Sequence, residues 1–130
     1  MGKRSSRIDR TGDYIAMAPW LAEQSSREKC AVCNQQYGRV SAEFILAKQV
    51  IDHIFPVRFL LSMHLDPHIT MNTLSCCQSC HARKLQHETL IFAGDVLGFL
   101  RGLKRIGYPM ERVITAARFY GFAEVDKFSK

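Results

Sequence analysis

The chain of 130 residues predicts an α+β domain. Three features predict it. A β-branched segment, Gln49-Val-Ile-Asp-His-Ile, is closed by Pro56. Good helix formers run from Gln78 to about His87. Two amphipathic stretches near the C-terminus are parted by Gly107 and Pro109. The length fits one domain, or one compact core with an appendage. A 47% hydrophobic content is ordinary for a globular chain and argues against wholesale disorder.

In chain order, residues 1–13 are polar and charged and read as a mobile arm. Tyr14 to Gln24 carries a short apolar face (Ile15, Met17, Trp20, Leu21) that suits a helix, with Pro19 tolerable only near its start. Cys30 to Cys33, followed by Asn34 and Gly38, predicts a turn. From Val40 to Ile54 apolar residues stand at Val40, Phe44, Ile45, Leu46, Val50, Ile51 and Ile54, and the last part reads as the strand. Arg58 to Thr70, with Pro67 inside it, reads as an irregular connection. Asp95 to Ile106 repeats Val96, Leu97, Phe99, Leu100 and Leu103, and Gly107 is a plausible terminator. Pro109 suits a first helical position. Met110, Val113, Ile114, Ala117 and Tyr120 then keep the helical period until Gly121. The expected organisation is a basic arm with a short helix over 1–29, a core over 30–87 and a helical pair over 88–130.

A net charge of +6 points to a polyanionic partner, nucleic acid first. The excess is spread along the chain, from Lys3, Arg4, Arg7 and Arg10, through Arg58, Arg83 and Lys84, to Arg101, Lys104, Arg105, Arg112 and Arg118. That spread suits a surface following a phosphate backbone better than a basic tail does. The longest apolar stretches, Val57 to Met63 and Leu90 to Ala93, are too short to cross a bilayer. No apolar core follows the basic start, so no signal peptide is expected. Gly2 and Ser6 meet the loose myristoylation spacing, but that pattern is short and a basic start is not specific to it. The expectation is a soluble, cytoplasmic protein without a membrane partner.

Five cysteines are present. Four of them form two knuckles, Cys30-Ala-Val-Cys33 and Cys77-Gln-Ser-Cys80. Two residues between ligands let a tight turn aim both sulfurs at one ion. Two such turns complete a tetrahedral zinc site with Zn–S distances of about 2.3 Å. A single knuckle would suit a redox dithiol equally well; the pair predicts structural Zn²⁺ over buried free thiols or a disulfide framework. By register, Cys76 is a small buried apolar side chain.

Beside the knuckles stand Asp52-His53-Ile54-Phe55-Pro56 and Asn72-Thr-Leu-Ser-Cys-Cys77-Gln-Ser-Cys80-His81, with Lys84 one turn further on. Over about residues 30–87 this resembles the HNH endonuclease family, whose pattern is a D-H-I-x-P strand end followed by N-x-x-x-x-C-x-x-C-H-x-x-K. Within it the chain resembles small freestanding phage-encoded homing endonucleases, which act in the host cytoplasm. The resemblance implies a ββα-metal fold stapled by the four-cysteine zinc site, with flanking helices. It implies a metal-dependent DNA endonuclease, of homing or nicking type, that leaves a 5′-phosphate and a 3′-hydroxyl. In it His53 is the general base, Asp52 and His81 hold one divalent ion such as Mg²⁺, and Asn72 holds the loop and orients His53.

Those residue types suit the chemistry. An imidazole near its ordinary pKa of about 6.5 can take a proton from water at neutral pH. A carboxylate and an imidazole can hold a divalent ion with positions left for substrate. Asp52 and His53 are neighbours on a strand, however, so their side chains should face opposite ways unless the strand end breaks. Arg58, Arg83 and Lys84 are candidate contacts to double-stranded DNA, although a solvated surface role suits Arg58 as well. The chain departs from the family where Val57-Arg-Phe-Leu-Leu-Ser replaces a glycine pair, a stretch that looks ordered and apolar. His64 and His68 read as solvated loop residues or auxiliary contacts, and His87 as a solvated helix residue. The C-terminal pair reads either as a DNA reader presenting Arg112 and Arg118 or as added core. A homodimer would suit a double-strand break. The competing function is a non-catalytic zinc-stabilised module that binds nucleic acid. A nuclease working within a larger assembly is a further alternative.

Overall fold

The computed structural model describes residues 6–8, 14–16, 18–38, 40 and 46–128. Gly2, Lys3, Arg4, Arg10, Met17, Phe44 and Ile45 lie outside the described residues. Eleven elements of the described part include two short antiparallel strand pairs, with helices before and after the second pair in the chain.

Strand β1 (Ser6–Ile8) pairs antiparallel with β2 (Tyr14–Ala16), Arg7 opposite Ile15. The arm is therefore a strand at 6–8, and the helix expected from Tyr14 begins later. Helix α1 spans Pro19–Ser25 and takes Pro19 in its first turn, where a missing N–H breaks no helical bond. The first knuckle follows as a turn: Asn34 N–H donates to the Cys30 carbonyl at 2.9 Å, with Asn34 itself at φ 65°. Asparagine tolerates this left-handed region better than most residues.

Strand β3 (Gln49–His53) pairs antiparallel with β4 (Thr73–Cys77), in register from Gln49 opposite Cys77 to His53 opposite Thr73. All five residues of β4 are buried, which removes the alternation that would mark it as a separate strand. Between the strands, Pro56 does end β3, yet it also serves as N-cap to helix α2 (Val57–Ser62). The connection expected to be irregular thus opens with a helix, because proline's fixed φ suits a helix entrance as well as a strand exit. A short 3-10 turn at Thr70–Asn72 leads into β4.

Helix α3 (Gln78–Phe92) starts directly after β4 and runs past the expected end at His87. Helix α4 (Val96–Ile106) is capped by the Asp95 carboxylate, which accepts from Gly98 N–H at 2.8 Å, and it ends at Gly107 with φ 98°. Helix α5 (Met110–Phe119) uses Pro109 as its N-cap, one position earlier than expected. A last turn, α6, covers Val125–Phe128.

The C-terminal helices complete the core. Phe55, at the strand end, meets Phe99 of α4 at 5.8 Å between ring centroids and Phe122, beyond α5, at 5.0 Å. Leu100, Leu103, Val113, Ala116 and Ala117 are fully buried with them. Arg112, exposed in the DNA-reader alternative for the helical pair, is half-buried and donates to the Thr73 carbonyl at 2.6 Å, tying α5 to the start of β4 as the added-core alternative has it. Among the described residues, no helix is long and apolar enough to cross a membrane.

Helices α3 and α4 approach closely at Gly102, where a Cβ would lie 2.6 Å from the His87 ring. His87, expected to be solvated, is partly covered by this contact. Gly102→Ala gains about 1 kcal/mol of helix propensity, but it forces a methyl into the base of a packed ring. A net loss of about 1–2 kcal/mol is expected from such overpacking, read by urea unfolding. Adding His87→Ala should recover most of it.

Candidate metal centre and catalytic site

The knuckle turn carrying Cys30 and Cys33 is tied to the second strand pair, since Ala31 N–H donates to the Ser75 carbonyl at 2.9 Å. Cys77 closes β4 and Cys80 lies in the first turn of α3. The strand-to-helix junction therefore presents both second-knuckle sulfurs to the first turn. All four sulfurs lie within 4.8 Å of one another, with Cys33 Sγ and Cys77 Sγ 3.8 Å apart. A tetrahedron of Zn–S bonds of about 2.3 Å has edges of about 3.8 Å. The cluster can hold a structural metal such as zinc.

Its electrostatics favour a cation. The Cys80 thiol hydrogen-bonds Cys30 and, against the cost of burial, brings the Cys30 pKa down to about 4. The same bond, with burial, pushes the Cys80 thiol up, and burial pushes Cys33 up as well. One sulfur thus takes a negative charge at its neighbours' expense. A dication at the centre would let all four ionise together. Arg83, expected at a DNA surface, is exposed but donates to Cys80 Sγ at 3.0 Å. Cys76 is buried, as its register suggested.

Next to the sulfurs, Asp52 is 2% exposed. Lys84 Nζ donates to its Oδ1 at 3.0 Å, and His81 Nδ1 lies 3.1 Å from the same oxygen. The Tyr108 hydroxyl donates to Oδ2 at 2.9 Å. Burial alone would raise the Asp52 pKa; the Lys84 ammonium and the His81 contact overcome it and hold the carboxyl below its usual range. Lys84 also donates to the His53 carbonyl and, at 2.8 Å, to Glu88 Oε2.

The expectation that Lys84 contacts DNA is corrected by this burial. The side chain is fully buried, with its three donors engaged by Asp52, His53 and Glu88. Two carboxylates share one ammonium, so the Asp52–Lys84–Glu88 cluster keeps one net negative charge. Arg58 is exposed on α2, with its guanidinium 5.7 Å from the Phe92 ring centroid.

Asn72 is fully buried and pins the strand end. Its Oδ1 accepts from Phe55 N–H at 2.8 Å, and its Nδ2 donates to the Phe55 and Pro67 carbonyls at 3.1 and 3.0 Å. Asn72 reaches the two ends of the connection between β3 and β4, at Phe55 and Pro67, rather than the His53 ring. His53 points away from Asp52, as strand alternation requires. Its Nε2 lies 3.0 Å from His68 Nδ1, and Trp20 stacks on His68 at 5.1 Å with its ring 5.2 Å from His53. Partial burial, then the neighbouring His68, lowers the His53 pKa, with Asp52 pulling the other way. The shift favours the neutral ring.

The structure brings Asp52 and His81 together, sets Asn72 across the loop and gathers the four cysteines. It leaves the His53 ring on the other side of β3. The 3.1 Å between Asp52 Oδ1 and His81 Nδ1 is that of a hydrogen bond or ion pair. Among the described residues, the group of His, Cys, Asp and Glu side chains close enough to share one ion is the four-cysteine cluster. Glu88, Tyr108, His68 and Trp20 were not anticipated in these places. Only Glu88 had a signal, four residues after Lys84 on the same helical face.

No protein-family model, no curated protein and no solved structure matches this chain.

Purified protein should carry about one zinc per chain by atomic absorption. Stripping it with a strong chelator should abolish the cooperative thermal transition, because such an ion contributes directly to folding; an unchanged transition in metal-free protein would discard the structural role. Separately, Lys84→Met should cost about 3–5 kcal/mol in urea unfolding, since it leaves Asp52 buried and unpaired. Adding Asp52→Asn should restore more than half of that loss.

Proposed function

We propose that the chain is a metal-dependent DNA endonuclease of the HNH type. The observation that carries this reading is the Asp52–His81 pair. A carboxylate at the end of β3 and an imidazole in the first turn of α3 stand 3.1 Å apart, with the buried Asn72 clamp between them in the chain. The order β3, β4, α3 is that of a ββα-metal motif, and the sulfur cluster staples its two ends.

In this reading Asp52 and His81 would hold a divalent ion such as Mg²⁺, which supplies positive charge to the scissile phosphate and the leaving oxygen. His81 keeps 29% of its side chain exposed, so the pair is reachable from solvent. Lys84 keeps Asp52 ionised, and Glu88 offsets the ammonium so that the cluster still attracts a cation. His53, whose surroundings favour the neutral ring, takes a proton from water at a ring nitrogen. His68 and Trp20 hold the plane of its ring. Asn72 fixes the turn that carries His53 out of β3. The net charge of +6 supports a nucleic-acid substrate, with Arg58 exposed for phosphate contact.

One observation favours a second reading. Both oxygens of Asp52 are already engaged by three donors, and Asp52 and His53 face opposite ways. A zinc-stabilised module that binds nucleic acid without cutting it would use the same groups as a buried polar tie.

Plasmid cleavage with Mg²⁺ or Mn²⁺ separates the two. Wild type should cut, His53→Ala should lose about 10²–10⁴ in rate, and His81→Ala should lose metal-dependent cutting, with zinc content unchanged in both. A wild type that binds DNA but cuts under none of these conditions puts the module reading first.

A further inference from the structure

Away from the strand pair, the described helices enclose an open cleft of about 620 Å³ lined by Arg101, Lys104, Arg105, Lys127 and Phe128. The first three lie at i, i+3 and i+4 on α4, which places them on one helical face within about 6 Å along its axis. Lys127 joins them from α6, and Lys104 Nζ stands 5.6 Å from the Phe128 ring centroid. All four cations are exposed, and among the described residues no carboxylate lines the cleft. Among the described residues none of the four takes part in an ion pair; every such pair lies elsewhere, at Glu23–Arg27 or around Asp52 and Lys84.

Four like charges gathered without a counter-charge repel one another, and a partner carrying closely spaced negative charge relieves that repulsion. The simplest local account is the helix dipole, which favours cations in a last turn. It covers Lys104 and Arg105 only. It does not place Arg101 a turn earlier on the same face, nor Lys127 across the cleft. A lipid surface suits the cleft poorly, because interfacial helices set large apolar side chains beside their cations. The lining holds one large apolar side chain, the partly buried Phe128, and none of the exposed ones such as Leu61, Met71, Leu85 and Phe119.

We propose that the α4–α6 cleft is a phosphate-backbone grip for double-stranded DNA, separate from the Asp52–His81 site. A duplex presents one charge per about 1.7 Å of axis, so several phosphates fall within reach of a cluster this size. The contact is to backbone and carries no base recognition. It places Arg101, Lys104, Arg105 and Lys127 at the DNA surface, where residues nearer the strand pair had been expected. The grip rests on the DNA-acting reading only for the choice of polyanion.

The test is fluorescence anisotropy with a labelled duplex of about 30 bp, titrated over salt without added divalent ions so that no cutting occurs. Neutralising Arg101→Gln, Lys104→Gln and Arg105→Gln together should weaken binding about 10–100-fold at moderate salt. It should also make the slope of log K against log salt shallower by about 2–3, near 0.9 for each lost phosphate contact. The charge-conserving Arg101→Lys with Arg105→Lys should keep the wild-type slope, and the single Lys104→Gln should lose about 1 from it. Because these side chains are exposed, the thermal midpoint of each variant should match wild type. Unchanged affinity and slope in the triple variant would overturn the proposal. So would a wild type that ignores duplex DNA yet binds vesicles of anionic lipid. Charge-dependent DNA binding here, with no cleavage in the separate Mg²⁺ or Mn²⁺ plasmid assay, would sink the endonuclease reading and leave the grip standing; cleavage in that assay with an unchanged slope here would do the reverse.

Discussion

Burying the Asp52 carboxylate strips it of water, and the fold has to supply donors in place of that water. Lys84 and His81 come from one face of α3, and Tyr108 comes from the link between α4 and α5. A single charge at the end of β3 therefore sets how α3 docks on the strands and where the chain turns after α4. Lys84 is itself too polar to be buried alone, so Glu88 is drawn in one turn along α3. Replacing such a network with apolar residues is often neutral for stability, whereas removing one partner is costly. Its presence here is therefore better explained by a need for charge at this place than by stability.

The apolar parts of the molecule are arranged around that requirement. Two strands of five residues cannot stand alone. They are closed at one end by the sulfur cluster, which binds the 30–33 turn to the start of α3, and at the other by Asn72, which laces the turn at Phe55 to Pro67. Phe55 then hands the strand end to the aromatic cluster of Phe99 and Phe122, so the C-terminal helices bury what the strands leave uncovered. Arg112 adds a polar tie from α5 to Thr73 beside the same clamp. Metal-sized sulfur geometry, the amide clamp and the late helices are thus three supports for one strand end.

How much of this was legible in the residues follows from how local each signal is. The cysteine knuckles, the strand at 49–53 and the glycine ending α4 all depend on spacing within a turn or two, and each could be read directly. Asn72 was legible as a loop clamp from its place in the motif, but not its partners, which lie 5 and 17 residues away. Helix α2 was missed because Pro56 signals a stop to a strand and a start to a helix with the same fixed φ. Lys84 was placed at the surface because lysine is almost never fully buried without a partner, and its partner Asp52 is 32 residues away in the chain. His68, Trp20 and Tyr108 carry no periodic signal at all; only the folded chain brings them to His53 and Asp52.

The two faces of β3 divide the polar chemistry in a way that strand geometry imposes. Asp52 looks inward to a charged network that keeps it ionised, while His53 looks outward to His68 and Trp20. Sharing a backbone, they move together: Lys84 binds both the Asp52 carboxylate and the His53 carbonyl, so a shift of the ammonium displaces the two residues at once. The inward side therefore sets where the outward imidazole stands, through a buried lysine that bonds only to the His53 backbone. A strand end held in this manner gives a neutral histidine a fixed position at the surface. It does so without committing the histidine's own nitrogens to the core, and leaves them to His68 and to whatever approaches from solvent.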